Sequence, residues 1–150
     1  MSQYSGKNIV ITGGSEGIGR ALVEQLLAQG AIVSTCGRNV EKLEALKVDL
    51  GNPERLRTYQ ADVSNQMEAE GFIKSVEQKD GNIDVLINNA GYGQVGALED
   101  ISRETLRQQF ETNVFGLMEL SALSIPVMRQ QGQGRIINIS SILGIISMPF

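Results

Sequence analysis

The sequence has no histidine, no tryptophan and only one cysteine, Cys36, among its 150 residues. One cysteine cannot form a disulfide within the chain, and without histidine there is no cluster typical of a zinc site. We therefore expect no metal site and interpret Cys36 as a buried strand residue.

Other features are scarce as well, and they limit the classes of partner. The net charge is -4 and no long basic patch is present, so nucleic acid is not an expected partner. No apolar run is long enough to span a bilayer, and the polar start, Met1 to Ser5, has no secretory apolar region. These absences predict a cytoplasmic protein that neither binds nucleic acid nor enters a membrane.

What is present is an ordinary globular composition, with 41% hydrophobic and 20% charged residues. The length predicts one domain over residues 1–150. Short apolar runs alternate with amphipathic runs along the chain. The predicted strands are Lys7–Thr12, Ala31–Cys36, Arg57–Ala61, Ile83–Asn88 and Arg135–Ser140. The predicted helices are Ile18–Gln29, one that begins near a capping Asn39, one that follows Ser64, and Ser102–Gln130.

This alternation predicts an α/β fold, a doubly wound parallel sheet of the Rossmann type with strand order 3-2-1-4-5. Ligands of such sheets bind at the carboxyl ends of strands 1 and 4. The fourth predicted helix is long, and Pro126 should kink it or end its regular part. Its predicted apolar stripe consists of Leu106, Phe110, Val114, Leu117, Met118, Ala122 and Ile125.

The most informative segment, Thr12–Gly19, joins the first strand to the first helix. Glycines there let the backbone approach a pyrophosphate, and the first N–H groups of the helix point at the anion. The simpler interpretation is a turn that needs glycine only for positive φ. Because a second strand and helix follow at the right distance, we favour a dinucleotide site.

Further motifs follow in order, and together they carry a family resemblance. They are Asp62-Val63, Asn88-Asn89-Ala90-Gly91, Asn113 and Asn138-Ile139-Ser140-Ser141. With the glycine turn they make the chain, from about Lys7 to its end, resemble the short-chain dehydrogenase/reductase family. The resemblance implies an NAD(P)-dependent oxidoreductase.

The resemblance also implies which residues bind the cofactor. These are Gly13, Ser15, Glu16, Gly17, Ile18, Gly19, Arg38, Asp62, Val63, Asn89, Ala90 and Gly91. By resemblance, the Asp62 carboxylate accepts a hydrogen bond from the adenine amino group; equally, it is a charge that suits the start of the third helix.

The end of strand 2 bears on the choice between the two nicotinamide cofactors. NAD enzymes place an acidic residue there for the ribose 2′-OH, whereas this chain has Gly37 followed by Arg38. A guanidinium can bind a 2′-phosphate in a bidentate fashion. The resemblance therefore implies NADP(H). Glu16 weakens this preference, because some NADP-specific relatives carry a basic residue there.

The resemblance assigns Ser141 to orienting the substrate carbonyl and Asn113 to anchoring a water chain. The structural alternatives are a strand-end cap for Ser141 and a polar residue at a helix bend for Asn113. The Tyr-x-x-x-Lys motif of the family, which transfers the proton, does not occur in the 150 residues. We therefore expect a C-terminally truncated fold, with little or no activity in this chain.

The full-length protein is then predicted to reduce a ketone or oxidise a secondary alcohol, with a small carbonyl or alcohol compound as its partner. By the same resemblance it is expected to be a homo-oligomer. The alternative is a non-catalytic dinucleotide-binding module or a redox-sensing partner subunit, which the missing motif favours and the presence of Asn113 and Ser141 opposes.

Overall fold

A computed structural model describes residues 2–146. Its strands are β1 (Asn8–Thr12), β2 (Ile32–Gly37), β3 (Leu56–Gln60), β4 (Val85–Asn88) and β5 (Arg135–Asn138). Its α-helices are α1 (Gly17–Ala28), α2 (Val40–Asp49), α3 (Gln66–Asp80), α4 (Arg103–Phe110) and α5 (Leu117–Gln130). A π-helical segment, Glu111–Gly116, joins α4 to α5, and short 3₁₀ turns lie at Leu98–Asp100 and Ile142–Gly144.

The five strands form one parallel sheet in the order β3-β2-β1-β4-β5, which confirms the predicted topology. Strand β1 lies in the centre and pairs Ile9 with both Val33 and Val85. Because all strands run the same way, their carboxyl ends share one edge of the sheet. We call this edge the carboxyl edge.

Two buried clusters cover the two faces of the sheet. Alternate residues of β1 point to opposite faces, so Ile9 and Ile11 pack with α1 and α2, while Val10 packs with α3 and α5. Both faces of the central strands are therefore dry, as expected for a parallel sheet between helices. This burial holds the strand ends in fixed positions.

The prediction of one long regular fourth helix is wrong. It divides into α4, the π-helical segment and α5, which continues past Pro126 to Gln130. The predicted apolar stripe is not the buried face, since the buried residues of α5 are Leu120, Ser124, Val127 and Met128. A wider π turn changes the helical phase, so a period of 3.6 residues counted through it selects the wrong face.

Strand β5 is largely exposed although its sequence is apolar. It lies at one edge of the sheet formed by residues 2–146, and only Ile136 is even half-buried. Its backbone register is nonetheless regular, with Asn138 opposite Asn88. Between residues 2 and 146 there is no helix that is long and apolar enough to cross a membrane.

Candidate functional site

Every predicted site residue lies at or just beyond the carboxyl edge, apart from Asn113. The glycine turn follows β1, Arg38 follows β2, Asp62 and Val63 follow β3, Asn89 to Gly91 follow β4, and Ser141 follows β5. Asn113 reaches the same edge from the π-helical segment. The sheet topology thus brings together residues that lie far apart in sequence.

The glycine turn is held tightly against its neighbours. Gly13 has a φ of +68°, a conformation that favours glycine, and its N–H donates to the carbonyl of Cys36 at 2.9 Å. The N–H of Gly14 donates to Thr35 Oγ1 at 3.1 Å, and that hydroxyl donates to the carbonyl of Ile11 at 2.7 Å. The turn is therefore anchored on β2 through a buried hydroxyl.

Asn89 and Thr12 fasten the turn to the end of β4. Thr12 Oγ1 accepts from the N–H groups of Asn89 and Ala90 at 3.0 and 2.9 Å. Asn89 Nδ2 donates to the carbonyls of Thr12 and Gly13 at 3.0 and 3.2 Å. A Cβ on Gly19 would overlap the carbonyl oxygen of Gly13 and lie 2.6 Å from Asn89 Nδ2. Asn89 thus braces the turn through hydrogen bonds to its backbone carbonyls.

The start of α1 has free N–H groups, which suits an anion. Its N-cap, Glu16, makes no side-chain hydrogen bond to the helix. Gly17 has a φ of +54°, and a Cβ there would meet nothing within 4 Å. The next residue, Ile18, is 63% exposed although it is apolar. Open space, unpaired donors and the positive end of the helix dipole fit a pyrophosphate.

The end of β2 lies beside the glycine turn. Ser15 Oγ is 3.8 Å from the position that a Cβ on Gly37 would take. Arg38 is exposed. Glu16 forms an ion pair with Lys42 in the first turn of α2, with Nζ to Oε2 at 2.7 Å. The glycine turn therefore packs against the end of β2 and contacts the first turn of α2.

The segment after β3 is a compact turn. Asp62 Oδ1 accepts from the N–H and the hydroxyl of Ser64 at 2.9 and 2.7 Å. These bonds use only one carboxylate oxygen, so the other can still accept from a ligand. Val63 is buried, and its carbonyl lies where a Cβ on Gly116 would have to go. Gly116 thus permits the π-helical segment to pack on this turn.

Asn113 holds the loop that follows β4. Its Oδ1 accepts from the N–H of Tyr92 at 3.0 Å, and its Nδ2 donates to the carbonyl of Tyr92 at 2.7 Å. A Cβ on Gly91 would lie 3.2 Å from Asn113 Oδ1. The amide therefore fixes the backbone next to the Asn-Asn-Ala-Gly motif.

Ser141 lies exposed beyond β5. Its Oγ accepts from the N–H of Leu143 at 3.2 Å, so it caps the 3₁₀ turn that follows. The hydroxyl proton is still available, because this bond uses only a lone pair. Beneath it, Asn88 Nδ2 donates to Asn138 Oδ1 at 2.9 Å and to Ser121 Oγ at 3.1 Å. The buried amide thus ties β4, β5 and α5 together.

Cys36 lies beneath the glycine turn and is fully buried. Burial raises the pKa of its thiol to about 12; the Gly13 N–H lowers this pKa and Asp62 raises it further. The thiol is therefore protonated and unreactive near neutral pH. Residues 2–146 contain no group of three or more cysteine or acidic residues that could hold a metal ion.

Sequence reasoning gave no role to Thr12, Thr35 or Lys42. Hydroxyls in otherwise apolar strands next to a glycine turn could have indicated Thr12 and Thr35. Lys42 had no comparable signal, because an exposed lysine in a helix is ordinary, and its contact with Glu16 joins residues 26 positions apart.

Comparisons with known proteins identify relatives that share this sequence and fold. A family sequence model described as short chain dehydrogenase matches residues 7–150. Nodulation protein G of Rhizobium sp. (strain N33) is 37% identical over 150 residues, which cover 99% of this chain and 60% of that protein. Farnesol dehydrogenase of Aedes aegypti is 38% identical over 150 residues, covering 96% of this chain and 60% of that protein.

A solved structure is similar as well. A short-chain dehydrogenase from Streptomyces avermitilis superposes with a TM-score of 0.89 at 38% identity, covering 95% of this chain and 52% of that one. The chain spans about half the length of the curated relatives that it matches. With the glycine turn, the Asn-Asn-Ala-Gly motif and this sheet order, the matches establish that the chain belongs to the short-chain dehydrogenase family.

Proposed function

We propose that this chain forms the cofactor-binding part of an NADP(H)-dependent oxidoreductase that interconverts a ketone and a secondary alcohol. The family implies a nicotinamide dinucleotide, and the choice of NADP(H) is the finer step. The observation that carries it is the corner at the end of β2. There Arg38 is exposed beside Gly37, and no carboxylate occupies the position that would bind a ribose 2′-OH.

The rest of the cofactor would lie along the carboxyl edge. The free N–H groups of Gly17 and Ile18 would bind the pyrophosphate, and the unused oxygen of Asp62 would accept from the adenine amino group. Asn89 would act indirectly, by keeping the turn in place against Thr12. The bound cofactor supplies a hydride to the carbonyl carbon or accepts one from the alcohol.

Ser141 is proposed to orient the substrate. Its Oγ accepts from the Leu143 N–H, which polarises the hydroxyl and favours donation of its proton to a carbonyl oxygen. Asn113 is proposed to act as a positioning residue, since both groups of its amide engage the Tyr92 backbone. The 150 residues contain no Tyr-x-x-x-Lys, so the proton donor that the family uses is not among them.

The first test measures cofactor affinity by fluorescence titration of the full-length protein with NADPH and NADH. We expect tighter binding of NADPH, and loss of that preference in Arg38→Asp. The matched control is Arg55→Asp, which makes the same charge change just before β3, at the opposite edge of the sheet. Equal affinity for both cofactors, or an equal effect of the control, would contradict NADP(H).

The second test measures reduction of a panel of ketones by the full-length protein. Ser141→Ala should lower kcat while the affinity for NADPH is unchanged, because the hydroxyl acts on the substrate. The 150-residue sequence alone should bind cofactor and not turn over, for lack of the tyrosine and lysine. Cofactor binding without turnover by the full chain would instead favour a non-catalytic dinucleotide-binding module or redox-sensing subunit.

We also propose that the protein is a homo-oligomer that contacts its copies through the outer side of the π-helical segment and its flanking helices. This proposal is supported by three large apolar side chains that are more than half exposed there, Phe110, Phe115 and Met118. Analytical ultracentrifugation of the wild type and of Phe115→Ser should show dissociation of the variant. A cytoplasmic location stays a prediction, which cell fractionation would test.

A further inference from the structure

Two segments that leave the carboxyl edge next to each other expose large apolar side chains. Asn88 and Asn138 are paired at the ends of β4 and β5, and the Ile139 N–H donates to the Asn88 carbonyl at 2.9 Å. The segments 91–98 and 139–146 therefore start side by side, since neighbouring strands lie about 5 Å apart. We call their six apolar side chains that are more than half exposed the apolar loop surface: Val95, Leu98, Ile142, Leu143, Ile145 and Ile146.

Part of this surface is fixed beside the Ser141 hydroxyl. The Leu143 N–H donates to Ser141 Oγ at 3.2 Å, and the Gly144 N–H donates to the Ser141 carbonyl at 3.0 Å. Ile142 and Leu143 thus lie within two residues of the group that is proposed to orient the substrate carbonyl. Single exposed apolar residues are ordinary, but several in two neighbouring segments indicate a binding surface.

The two segments also lack charge. No aspartate, glutamate, lysine or arginine occurs in residues 85–98 or 136–146. The charges that precede β4 and begin β5 lie at the opposite edge of the sheet. Glu111 of the π-helical segment lines a different groove, with Phe110 and two arginines of α4. The nearest carboxylate along the chain is Glu99, which directly follows Leu98 and disfavours an anion.

These properties favour one kind of substrate. A hydrocarbon group placed on the apolar loop surface would leave water, and the gain grows with the apolar area that is buried. A charged group would lose its hydration there without an ionic partner in either segment. The Ser141 hydroxyl can donate one hydrogen bond, which suits a single carbonyl oxygen at one end of a largely apolar molecule.

We infer that the substrate is an uncharged, lipophilic ketone or secondary alcohol whose oxygen lies at Ser141 and whose hydrocarbon part lies on the apolar loop surface. The inference rests on the proposed function and narrows its substrate class. The reaction itself is unchanged. A hydride from NADPH forms the new C–H bond, the C=O double bond becomes a single bond, and a proton completes the hydroxyl, leaving NADP⁺ and the alcohol.

The test measures kcat/KM of the full-length protein with saturating NADPH for methyl ketones from 2-butanone to 2-decanone. We expect kcat/KM to rise about two- to fourfold for each methylene, because each buries further apolar area. A matched comparison uses 2-octanone and 7-oxooctanoate, which ends in a carboxylate. The keto acid should be about 100-fold poorer, since its charge would be desolvated. No dependence on chain length, or equal use of 7-oxooctanoate or the cationic 8-amino-2-octanone, would overturn the inference.

A pair of matched variants locates the effect on the surface. Val95→Ser should lower kcat/KM for 2-decanone about fivefold and for 2-butanone less than about twofold, because only the longer chain reaches the side chain. The affinity for NADPH should not change. The control is Val48→Ser, which makes the same substitution at a similarly exposed valine of α2. It should alter neither ketone, and an equal effect of the control would count against this surface.

A different occupant of the surface would give a different result. If another segment of the full-length protein covers it, Val95→Ser and Ile145→Ser would lower the free energy of unfolding and leave the dependence on chain length unchanged. That outcome overturns the inference. Failure of the proposed function is distinct: the wild type would then reduce no ketone of either kind with NADPH. Reduction of short or charged ketones as readily as long ones overturns the substrate class alone.

Discussion

The start of α1 and the starts of α2, α3 and α4 differ in how their first backbone N–H groups find hydrogen-bond acceptors. Asn39, Asn65 and Ser102 each accept hydrogen bonds from backbone N–H groups in the first turns of α2, α3 and α4. Glu16, in the same position at α1, makes no such bond, and the residues around it are exposed. The capped starts satisfy their donors internally, whereas α1 leaves its donors for something outside the chain.

This difference separates two kinds of helix start that look alike in sequence. An asparagine or serine before a helix stabilises it. A glycine turn before a helix lacks the capping hydrogen bond. In this chain, side chains of the neighbouring strand ends stabilise the turn instead. Thr12, Thr35 and Asn89 hold the turn by hydrogen bonds to backbone groups, and none of these bonds uses the first N–H groups of α1.

The largest effect should come from breaking the support under the turn. Gly19→Ala places a Cβ against the carbonyl oxygen of Gly13 and close to Asn89 Nδ2. Because backbone must shift, we expect a loss of about 3 kcal/mol in the free energy of unfolding, together with loss of cofactor binding. Urea unfolding measures the first and NADPH titration the second.

A matched glycine gives the control for this change. Gly71 lies in α3, and a Cβ there meets nothing within 4 Å. Gly71→Ala should stabilise the protein by about 0.5–1 kcal/mol, because alanine costs less conformational entropy in a helix. If both alanine substitutions had the same effect, the close packing of the turn would not be what Gly19 provides.

The next effect concerns Thr12, which receives two N–H groups from the end of β4. Thr12→Val keeps the shape of the side chain and removes the acceptor. Leaving these donors without a partner should cost about 2 kcal/mol, measured by urea unfolding. Thr58→Val is the control, since the Thr58 hydroxyl has no hydrogen-bond partner within residues 2–146. A change of equal size in the control would argue against a special role for Thr12.

A third prediction uses Cys36, the buried thiol beneath the turn. Burial raises its pKa from about 9 to about 12. In the unfolded chain the thiol ionises above pH 9, whereas in the folded protein it keeps its proton. Within this window, stability should fall by about 1.4 kcal/mol for each pH unit, and below it there should be no effect.

The readout for Cys36 is the difference between wild type and Cys36→Ala, because lysines and tyrosines titrate in the same range. Urea unfolding at pH 8 and pH 10 should show a steeper loss in the wild type. Parallel losses in the two proteins would mean that the thiol is not buried in a dry environment.

The smallest effect tests the comparison of helix starts itself. Asn65→Ala removes the acceptor from the N–H groups of Met67 and Glu68 and should cost about 1 kcal/mol of stability. Glu16→Ala should cost less, because Glu16 caps nothing, yet it should change the affinity for NADPH. Thermal unfolding and NADPH titration of both variants decide this. An equal loss of stability would mean that Glu16 acts as a cap after all.

Much of the fold could be predicted from the sequence. The strand order, the positions of the five strands and the Asn39 cap were all correct, because apolar periodicity and capping are local signals. The prediction of one regular helix over 102–130 was wrong, because nothing in the composition of Glu111–Gly116 indicates a π turn. That turn depends on Gly116 packing against Val63, a contact between segments about fifty residues apart.

The site divides in the same way. The sequence by itself determined that a strand, a glycine turn and a helix would present backbone donors to an anion, because each of these features depends on residues close together in the chain. Only the tertiary structure decided that Asn113 holds the Tyr92 backbone, that Asn89 braces the turn, and that Lys42 faces Glu16. These contacts exist because a parallel sheet brings the ends of distant strands to one edge, and no local pattern records which side chains meet there.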